Sequence, residues 1–308
     1  SKGRFAMNLD TLLLGVADGV SYAGLLFLMS LGLTLIFGVL GVLNIAHGSL
    51  YAFGGYTAAS ITSFVMRHDL ASTPVLFVVL LVAAVVVGVV MGLLLEVCLL
   101  RYFQNKDPVL QLLVTFAAFV MFEDLQKLIW GTSPYSAGEL VMRLGTIEVF
   151  NVTYTTYQVV VIPCIALISY LGLNFFLKKT SLGKQTVAIT HHREVATALG
   201  INAKKIATLV FVLGAVFGAL GGALAVPVSS LSPGIGAEMI VVSFTVVATA
   251  GLGQITGALI TSLMIGLARS MAVYMAPEFE VAMPYIIMLG VLLVRPNGLF
   301  TVAQARRI

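Results

Sequence analysis

The sequence contains few charged residues. Asp, Glu, Lys and Arg make up 10% of the chain and hydrophobic residues 59%, whereas soluble domains carry about 25% charged residues. This composition excludes a soluble catalytic domain and indicates an integral membrane protein. Because the long apolar runs leave only short connections, we expect residues 1–308 to form a single transmembrane domain.

Catalytic and metal-binding motifs are also missing. The two cysteines, Cys98 and Cys164, lie inside apolar runs and match neither a disulfide framework nor a metal site. The sequence has no H-E-x-x-H, C-x-x-C or G-x-S-x-G motif, and residues 181–186 (SLGKQT) lack the first glycine and the Ser or Thr of a nucleotide-binding loop. We therefore expect no enzyme activity, catalytic residue, metal, cofactor or nucleic-acid partner in this chain.

The N-terminus gives no sign of a cleavable signal peptide. Residues 1–6 (SKGRFA) precede Met7 and differ in character from the rest of the chain, which is consistent with a vector-derived segment before a natural start. The first apolar run is over thirty residues long, so we expect it to remain as a membrane span.

Apolar runs long enough to cross a bilayer recur along the whole chain. The predicted fold is an all-α, polytopic transmembrane bundle of about 8–10 spans with a short cytoplasmic helix. Glycines at 251, 253 and 257 divide the run 239–275, which predicts two spans joined by a tight turn. The remaining runs are 11–43, 45–66, 74–100, 109–130, 157–177, 206–226 and 281–294.

The distribution of Lys and Arg predicts the orientation. Residues 178–205 carry six basic residues against Glu194 alone, and an excess of this kind marks the cytoplasmic side. Alternation of the spans then places 101–108 and the C-terminal tail inside as well. The loops assigned to the outside contain only two basic residues, Arg67 and Arg143.

Small residues recur at a spacing of four in two predicted spans. Gly214, Gly218 and Gly222 lie in one of them, and Gly88 and Gly92 lie in another. This spacing predicts close helix packing, either within the bundle or at a subunit contact.

Polar residues occur at a few positions in or near the spans. The segment 44–48 (NIAHG) joins the first two spans, and Asn44 and His47 share a helix face. Either these residues form a hydrogen-bonded helix junction or they line the transport pathway, because polar groups at membrane depth need partners or water. The candidate pathway or junction residues are Asn44, His47, Gly48, Gly251 and Gly253.

Four further acidic residues lie in or near the spans. Glu123 and Asp124 lie near the outer end of the fourth predicted span, and Glu123 and Lys127 have the spacing of an ion pair along a helix. Local pairing is favoured here over substrate contact or a proton relay. Asp18 and Glu96 are interpreted as packed or end-of-span polar groups.

The basic segment itself is predicted to be one helix from about Ser181 to Leu199. Thr180 or Ser181 can cap its start, and Gly200 with Asn202 ends it. The segment could serve only as a topological anchor, but an anchor does not need the apolar positions Val187, Val195 and Leu199, which favour docking into a groove on another protein.

Four segments together resemble the membrane subunit of branched-chain amino-acid ABC transporters, the LivH-type permeases. These segments are 31–56 (LGLTLIFGVLGVLNIAHGSLYAFGGY), 180–202 (TSLGKQTVAITHHREVATALGIN), 248–270 (ATAGLGQITGALITSLMIGLARS) and 291–300 (VLLVRPNGLF). They are spread along nearly the whole chain, in the order found in the family. Val187 and His192 depart from the family pattern.

The resemblance implies a subunit of a bacterial inner-membrane importer. The expected partners are a second LivM-type permease, two cytoplasmic ABC ATPase subunits that hold ATP and magnesium, a periplasmic solute-binding protein and membrane lipid. The coupling helix to the ATPase is expected within 181–200. Its expected coupling residues are His191, His192, Arg193, Glu194, Ala196, Leu199 and Gly200.

The identity of the solute stays open at this point. Branched-chain amino acids are the first choice, because the predicted pathway segments are small and apolar. Urea, short amides and aromatic acids are alternatives within the same importer class. An ATP-independent secondary transporter or channel is the alternative from another class.

Overall fold

A computed structural model describes residues 9–68, 72–104, 106–149 and 152–300. The proposed vector-derived segment 1–6 and the basic residues of the C-terminal tail at 306 and 307 lie outside the described residues. All candidate pathway and coupling residues lie within the described ranges.

The described chain is almost entirely helical. The helices are α1 (Leu9–Leu40), α2 (His47–Arg67), α3 (Thr73–Leu95), α4 (Arg101–Phe103), α5 (Pro108–Trp130), α6 (Glu139–Leu144), α7 (Ile162–Lys179), α8 (Ser181–His191), α9 (Arg193–Ala198), α10 (Ala203–Ala225), α11 (Ile235–Ala250), α12 (Ile255–Met275) and α13 (Met283–Val294). One π-helical turn (Glu96–Leu100) joins α3 to α4, another (Tyr157–Val161) precedes α7, and a 3₁₀ turn (Pro277–Phe279) follows α12.

One small sheet interrupts the helical pattern. Strands β1 (Thr146–Val149) and β2 (Val152–Thr155) pair as an antiparallel hairpin before α7, with Ile147 opposite Tyr154. This hairpin lies in a connection between spans, so the predicted all-α membrane bundle is confirmed.

Six helices in the described part are long and apolar enough to cross a membrane. They are Thr11–Leu40, Thr73–Phe103, Pro108–Trp130, Tyr157–Lys179, Ala203–Ala225 and Ile255–Met275. Two shorter apolar helices, α11 and α13, accompany them. The helix α2 is also long enough but is rich in small and hydroxyl residues.

The helix α1 lies at the centre of the bundle. It packs against α7, α10, α11 and α12, and its middle section from Ala23 to Ile36 is almost completely buried. In contrast, α5 and α7 expose large apolar side chains such as Leu128, Ile168 and Phe175. Apolar side chains exposed around the outside of a bundle are expected where lipid is the solvent.

Glycine allows the inner helices to approach closely. Gly88 and Gly92 of α3 face Val216 and Ala215 of α10 so closely that a side chain on either glycine would collide with α10. Gly222 of α10 lies equally close to the backbone of α2 at Tyr51. The predicted small-residue contacts are therefore formed within this chain.

The tryptophan Trp130 joins the end of α5 to α2. Its ring stacks on Tyr56 with centroids 5.3 Å apart and meets Phe53 edge-on at 5.8 Å. Its Nε1 donates a hydrogen bond to Ser60 Oγ at 2.7 Å. This aromatic contact fixes the end of an otherwise exposed helix.

Candidate functional site

The predicted cytoplasmic helix forms a distinct segment with capped ends. Thr180 Oγ1 accepts a hydrogen bond from the Gly183 N–H at 3.0 Å, which confirms Thr180 as the helix cap. Gly200 has a φ of +88° and follows the last turn. Asn202, which is predicted from the sequence to help end this helix, instead caps the start of α10 by accepting from the Lys205 N–H at 3.1 Å.

The segment is two helices, and the prediction of one continuous helix was wrong. The chain breaks at His192, whose φ of −146° and ψ of 79° lie outside the helical region. The helix α8 packs against α1, α7 and α10, whereas α9 packs against α8 and α10. Packing against α10 outweighs local helix propensity here, since the sequence has no Gly or Pro at the break. We call residues 181–200 the α8–α9 segment.

One side of the α8–α9 segment is anchored in the bundle. Gly183, Thr186, Ile189 and Ala196 are buried, and Ala196 belongs to the main hydrophobic core. The other predicted coupling residues, His191, His192, Arg193, Glu194, Leu199 and Gly200, are exposed. Ala196 therefore contacts its own chain, whereas the rest are open to a partner.

The exposed side of this segment is partly apolar. Leu199 is 79% exposed and Val195 57% exposed, and Leu182 and Val187 are also exposed. The same segment also exposes Lys184, His191, His192 and Arg193, together with Glu194. A mixed apolar and basic surface of this kind is suited to a protein partner.

A small inner cavity connects this segment with the core. It has a volume of about 250 Å³ and lies between α8, the end of α1 and the turn between α11 and α12. Gly253 lies in that turn with a φ of +82° and approaches Gly38 of α1 closely. The predicted tight turn is confirmed, although α11, the helix before it, is shorter than the six candidate spans. The helix α8 contacts α1 directly, so movement of α8 would reach α1.

The predicted polar junction lies deep in the bundle. His47 is fully buried, and its Nε2 lies 3.2 Å from the Met29 carbonyl oxygen of α1. Its ring also lies beside Gly32 and Gly218, so it joins α1, α2 and α10. Gly48 touches the backbone of Gly236, whereas Gly251 and Gly253 lie near Gly298 and Gly38. The candidate pathway residues thus fall into two separate groups.

The side chain of Asn44, in the same junction, lacks hydrogen-bond partners. It is fully buried, and neither its Oδ1 nor its Nδ2 has a hydrogen-bond partner. Buried amides without partners are costly. The structure thus places Asn44 and His47 at a helix junction, and a direct role in the pathway stays a prediction.

Two predicted polar interactions are confirmed. Lys127 Nζ lies 3.0 Å from Glu123 Oε1 and 3.3 Å from Asp124 Oδ1. Glu96 is packed, because its buried carboxylate accepts hydrogen bonds from Arg101 and from Thr208 Oγ1, both at 2.9 Å. In the described chain, no group of His, Cys, Asp and Glu could hold a metal ion.

A larger cavity opens where the predicted orientation places the outside. This outer cavity has a volume of about 350 Å³ and lies between α1, α11 and α12. Its charged lining residues are Asp18, Glu238, Arg269 and Glu280, and its apolar lining includes Leu25, Val228, Ile235, Met239 and Val273.

Arg269 is held by two contacts inside the outer cavity. Its Nη2 lies 2.9 Å from Glu280 Oε1, and its guanidinium carbon lies 4.3 Å from the centre of the Tyr22 ring. Across the cavity, the Tyr274 hydroxyl donates a hydrogen bond to Asp18 Oδ2. Asp18 is thus a packed polar group, as predicted, and it also lines a cavity.

Sequence reasoning missed this cavity. In the sequence, Asp18 lies in the first predicted span, Glu238 and Glu280 lie on either side of the run 239–275, and Arg269 lies within that run. A signal was present, because an arginine within a predicted span is costly and usually marks a function. The grouping itself depends on the packing of distant segments.

The fold and these two regions define a multi-pass membrane permease rather than a catalytic subunit. A family model described as branched-chain amino acid transport system / permease component matches residues 15–292. The chain belongs to this family of ABC importer permeases, which work with ATPase and binding-protein partners and whose bacterial members reside in the inner membrane.

Three relatives agree along almost the whole chain. The high-affinity branched-chain amino acid transport system permease protein LivH of Salmonella typhimurium is 26% identical over 99% of both chains. LivH of Escherichia coli K12 has the same identity and coverage. The corresponding permease BraD of Pseudomonas aeruginosa is 24% identical over 97% of this chain and 98% of its own. No solved structure matches the chain significantly.

Proposed function

We propose that this permease forms half of the translocation pathway of a bacterial importer for branched-chain or related hydrophobic amino acids. A second LivM-type permease would form the other half. Two cytoplasmic ATPase subunits, with ATP and magnesium, would drive alternating access, and a periplasmic binding protein would deliver the solute.

The observation that carries this proposal is the two-sided α8–α9 segment. Its buried side is fixed to α1, α7 and α10, and its exposed side presents Val195 and Leu199. An ATPase that grips the exposed side would therefore move the central helices. Family membership favours this role over an ATP-independent carrier or channel.

A matched pair of variants tests the docking role. Leu199→Asp places a charge on the exposed apolar surface, and Met142→Asp makes the same change at an equally exposed side chain (82%) on the side predicted to be outside. We expect Leu199→Asp to reduce ATP-dependent leucine uptake by about tenfold or more, because desolvating one charge at an interface costs a few kcal/mol. The complex that carries Met142→Asp should take up leucine at the normal rate.

The measurement is uptake by the complete complex in proteoliposomes, together with co-purification of the ATPases. Normal uptake by Leu199→Asp would mean that the segment is only an anchor. Leucine uptake driven by an ion gradient without ATP would reject the importer itself.

The substrate assignment rests on two supports. The relatives are named for branched-chain amino acids, and the outer cavity combines charged and aliphatic walls. Urea, short amides and aromatic acids remain the alternatives within the class. Thermal-shift screening of the accompanying binding protein would distinguish them.

A further inference from the structure

We propose that the outer cavity is a binding site for the amino acid itself, in which Asp18 and Glu238 receive its ammonium group. This inference rests on the proposed function, because it assumes an amino-acid cargo. It adds a ligand site inside the permease, separate from the binding protein and from the α8–α9 segment.

The charge balance of the outer cavity favours a cation. Three carboxylates, from Asp18, Glu238 and Glu280, line it against the single guanidinium of Arg269. Arg269 already pairs with Glu280 at 2.9 Å. The remaining two carboxylates have no basic partner among the described residues. An ammonium group would supply the missing positive charge.

The two carboxylates differ in their present contacts. Asp18 is half-buried and accepts a hydrogen bond from Tyr274, which fixes the direction of its carboxylate. Glu238 lies in the first turn of α11 and is exposed, and no hydrogen bond or ion pair reaches its side chain within the described chain. Asp18 is therefore pre-positioned, and Glu238 is free to close on a ligand.

A second, independent feature points to a polar ligand. Ser270 lines the same cavity and is only 6% exposed, and its buried Oγ has no hydrogen-bond partner. A buried hydroxyl without a partner is unfavourable. Ser270 and Arg269 both line the outer cavity, so we assign the ligand's carboxylate to this hydroxyl and this guanidinium.

The apolar residues that line the outer cavity can receive the aliphatic side chain of the ligand. Leu25, Met239 and Val273 line the cavity beside the charged groups. A ligand that satisfies both parts has an ammonium group, a carboxylate and an aliphatic side chain. Pockets of this composition use the apolar surface for affinity and a few polar groups for orientation. The cavity therefore selects α-amino acids and rejects analogues that lack the ammonium.

The test measures binding of radiolabelled leucine to the assembled transporter in lipid nanodiscs, without the binding protein. Leucinamide keeps the ammonium and should compete with leucine, whereas N-acetyl-leucine lacks it and should not. Glu238→Gln and Asp18→Asn remove one charge each but keep the size of the side chain. We expect each to weaken leucine binding by about tenfold.

Glu148→Gln is the matched control, because Glu148 is an exposed carboxylate in β1, outside the cavity lining. It should bind leucine like the unmodified protein. In Asp18→Asn the amide oxygen can still accept from Tyr274, so loss of the fold is not expected, and co-purification of the partner subunits checks assembly of both variants.

Three results would overturn the inference: no saturable leucine binding to the unmodified complex, equal competition by N-acetyl-leucine, or unchanged binding by Glu238→Gln. ATP-dependent uptake with the binding protein is measured in parallel. Normal uptake without binding in the cavity would reject this inference and leave the proposed function standing, whereas absent uptake would reject the proposed function.

Discussion

At the scale of single residues, the pair formed by Glu96 and Arg101 shows how a charge is kept in the bundle. The Glu96 side chain is 1% exposed, whereas Arg101 is 36% exposed. Thr208 Oγ1 also donates to Glu96. The buried carboxylate therefore depends on its partners more than the guanidinium depends on the carboxylate.

This asymmetry gives a prediction for the two amide variants. Arg101→Gln leaves a buried carboxylate without its cation, so we expect the Tm of the purified protein to fall by about 5 °C or more. Glu96→Gln leaves a guanidinium that water can reach, so its Tm should fall less. Thermal unfolding in detergent measures both, and a larger fall for Glu96→Gln would contradict this account.

A second residue-scale prediction concerns the turn after α9. Gly200 has a φ of +88°, and a Cβ at this position would meet no atom within 4 Å. A side chain at position 200 would therefore strain the backbone through its positive φ, and it would not collide with neighbouring residues. Gly200→Val should uncouple ATP hydrolysis from uptake, because a β-branched residue disfavours this backbone conformation and shifts the α8–α9 segment.

The control for Gly200→Val is Gly200→Asn at the same position. Asparagine adopts positive φ more readily than valine, so this variant should retain most of the coupling. Leucine uptake and ATPase activity, measured on the same proteoliposomes, give the coupling as leucine transported per ATP hydrolysed. Equal coupling in both variants would show that the backbone of this turn does not transmit force.

At the scale of elements, the contact between α3 and α10 depends on the absence of side chains. A Cβ on Gly88 would lie under 3 Å from the backbone of Val216, whereas a Cβ on Gly172 in α7 would meet nothing within 4 Å. We expect Gly88→Val to destabilise the fold by about 1–3 kcal/mol through overpacking. Gly172→Val should leave the Tm nearly unchanged, and a similar fall in both would contradict the packing argument.

The elements also show what could be predicted from sequence. Apolar runs predicted the spans, glycine spacing predicted close helix packing, and helical spacing predicted the pair of Glu123 and Lys127. Each of these signals is local in sequence. The break at His192 was missed because it results from packing of α9 on α10, which no local pattern records.

The outer cavity was missed for a related reason. Its charged groups come from α1, α11, α12 and the loop that follows α12. Each residue alone fits a common structural role, and only the arrangement of the helices brings them together.

Whether any of the predicted coupling residues in the α8–α9 segment contacts an ATPase stays a prediction.

At the scale of the whole molecule, the orientation can be checked with single cysteines. In a background with Cys98 and Cys164 replaced by alanine, Met142→Cys should react with a membrane-impermeant maleimide in spheroplasts. Thr197→Cys should react only in inverted vesicles, because the α8–α9 segment is predicted to be cytoplasmic. Both positions are exposed, and the reverse pattern of labelling would invert the topology.

The contact of Trp130 with α2 has a spectroscopic consequence. The chain has one tryptophan, and its indole stacks on Tyr56 and donates to Ser60. The tryptophan emission of this subunit therefore comes from a single fluorophore between α2 and α5. Its emission maximum and anisotropy decay would report, without any attached dye, whether these two helices separate as the transporter passes through its cycle.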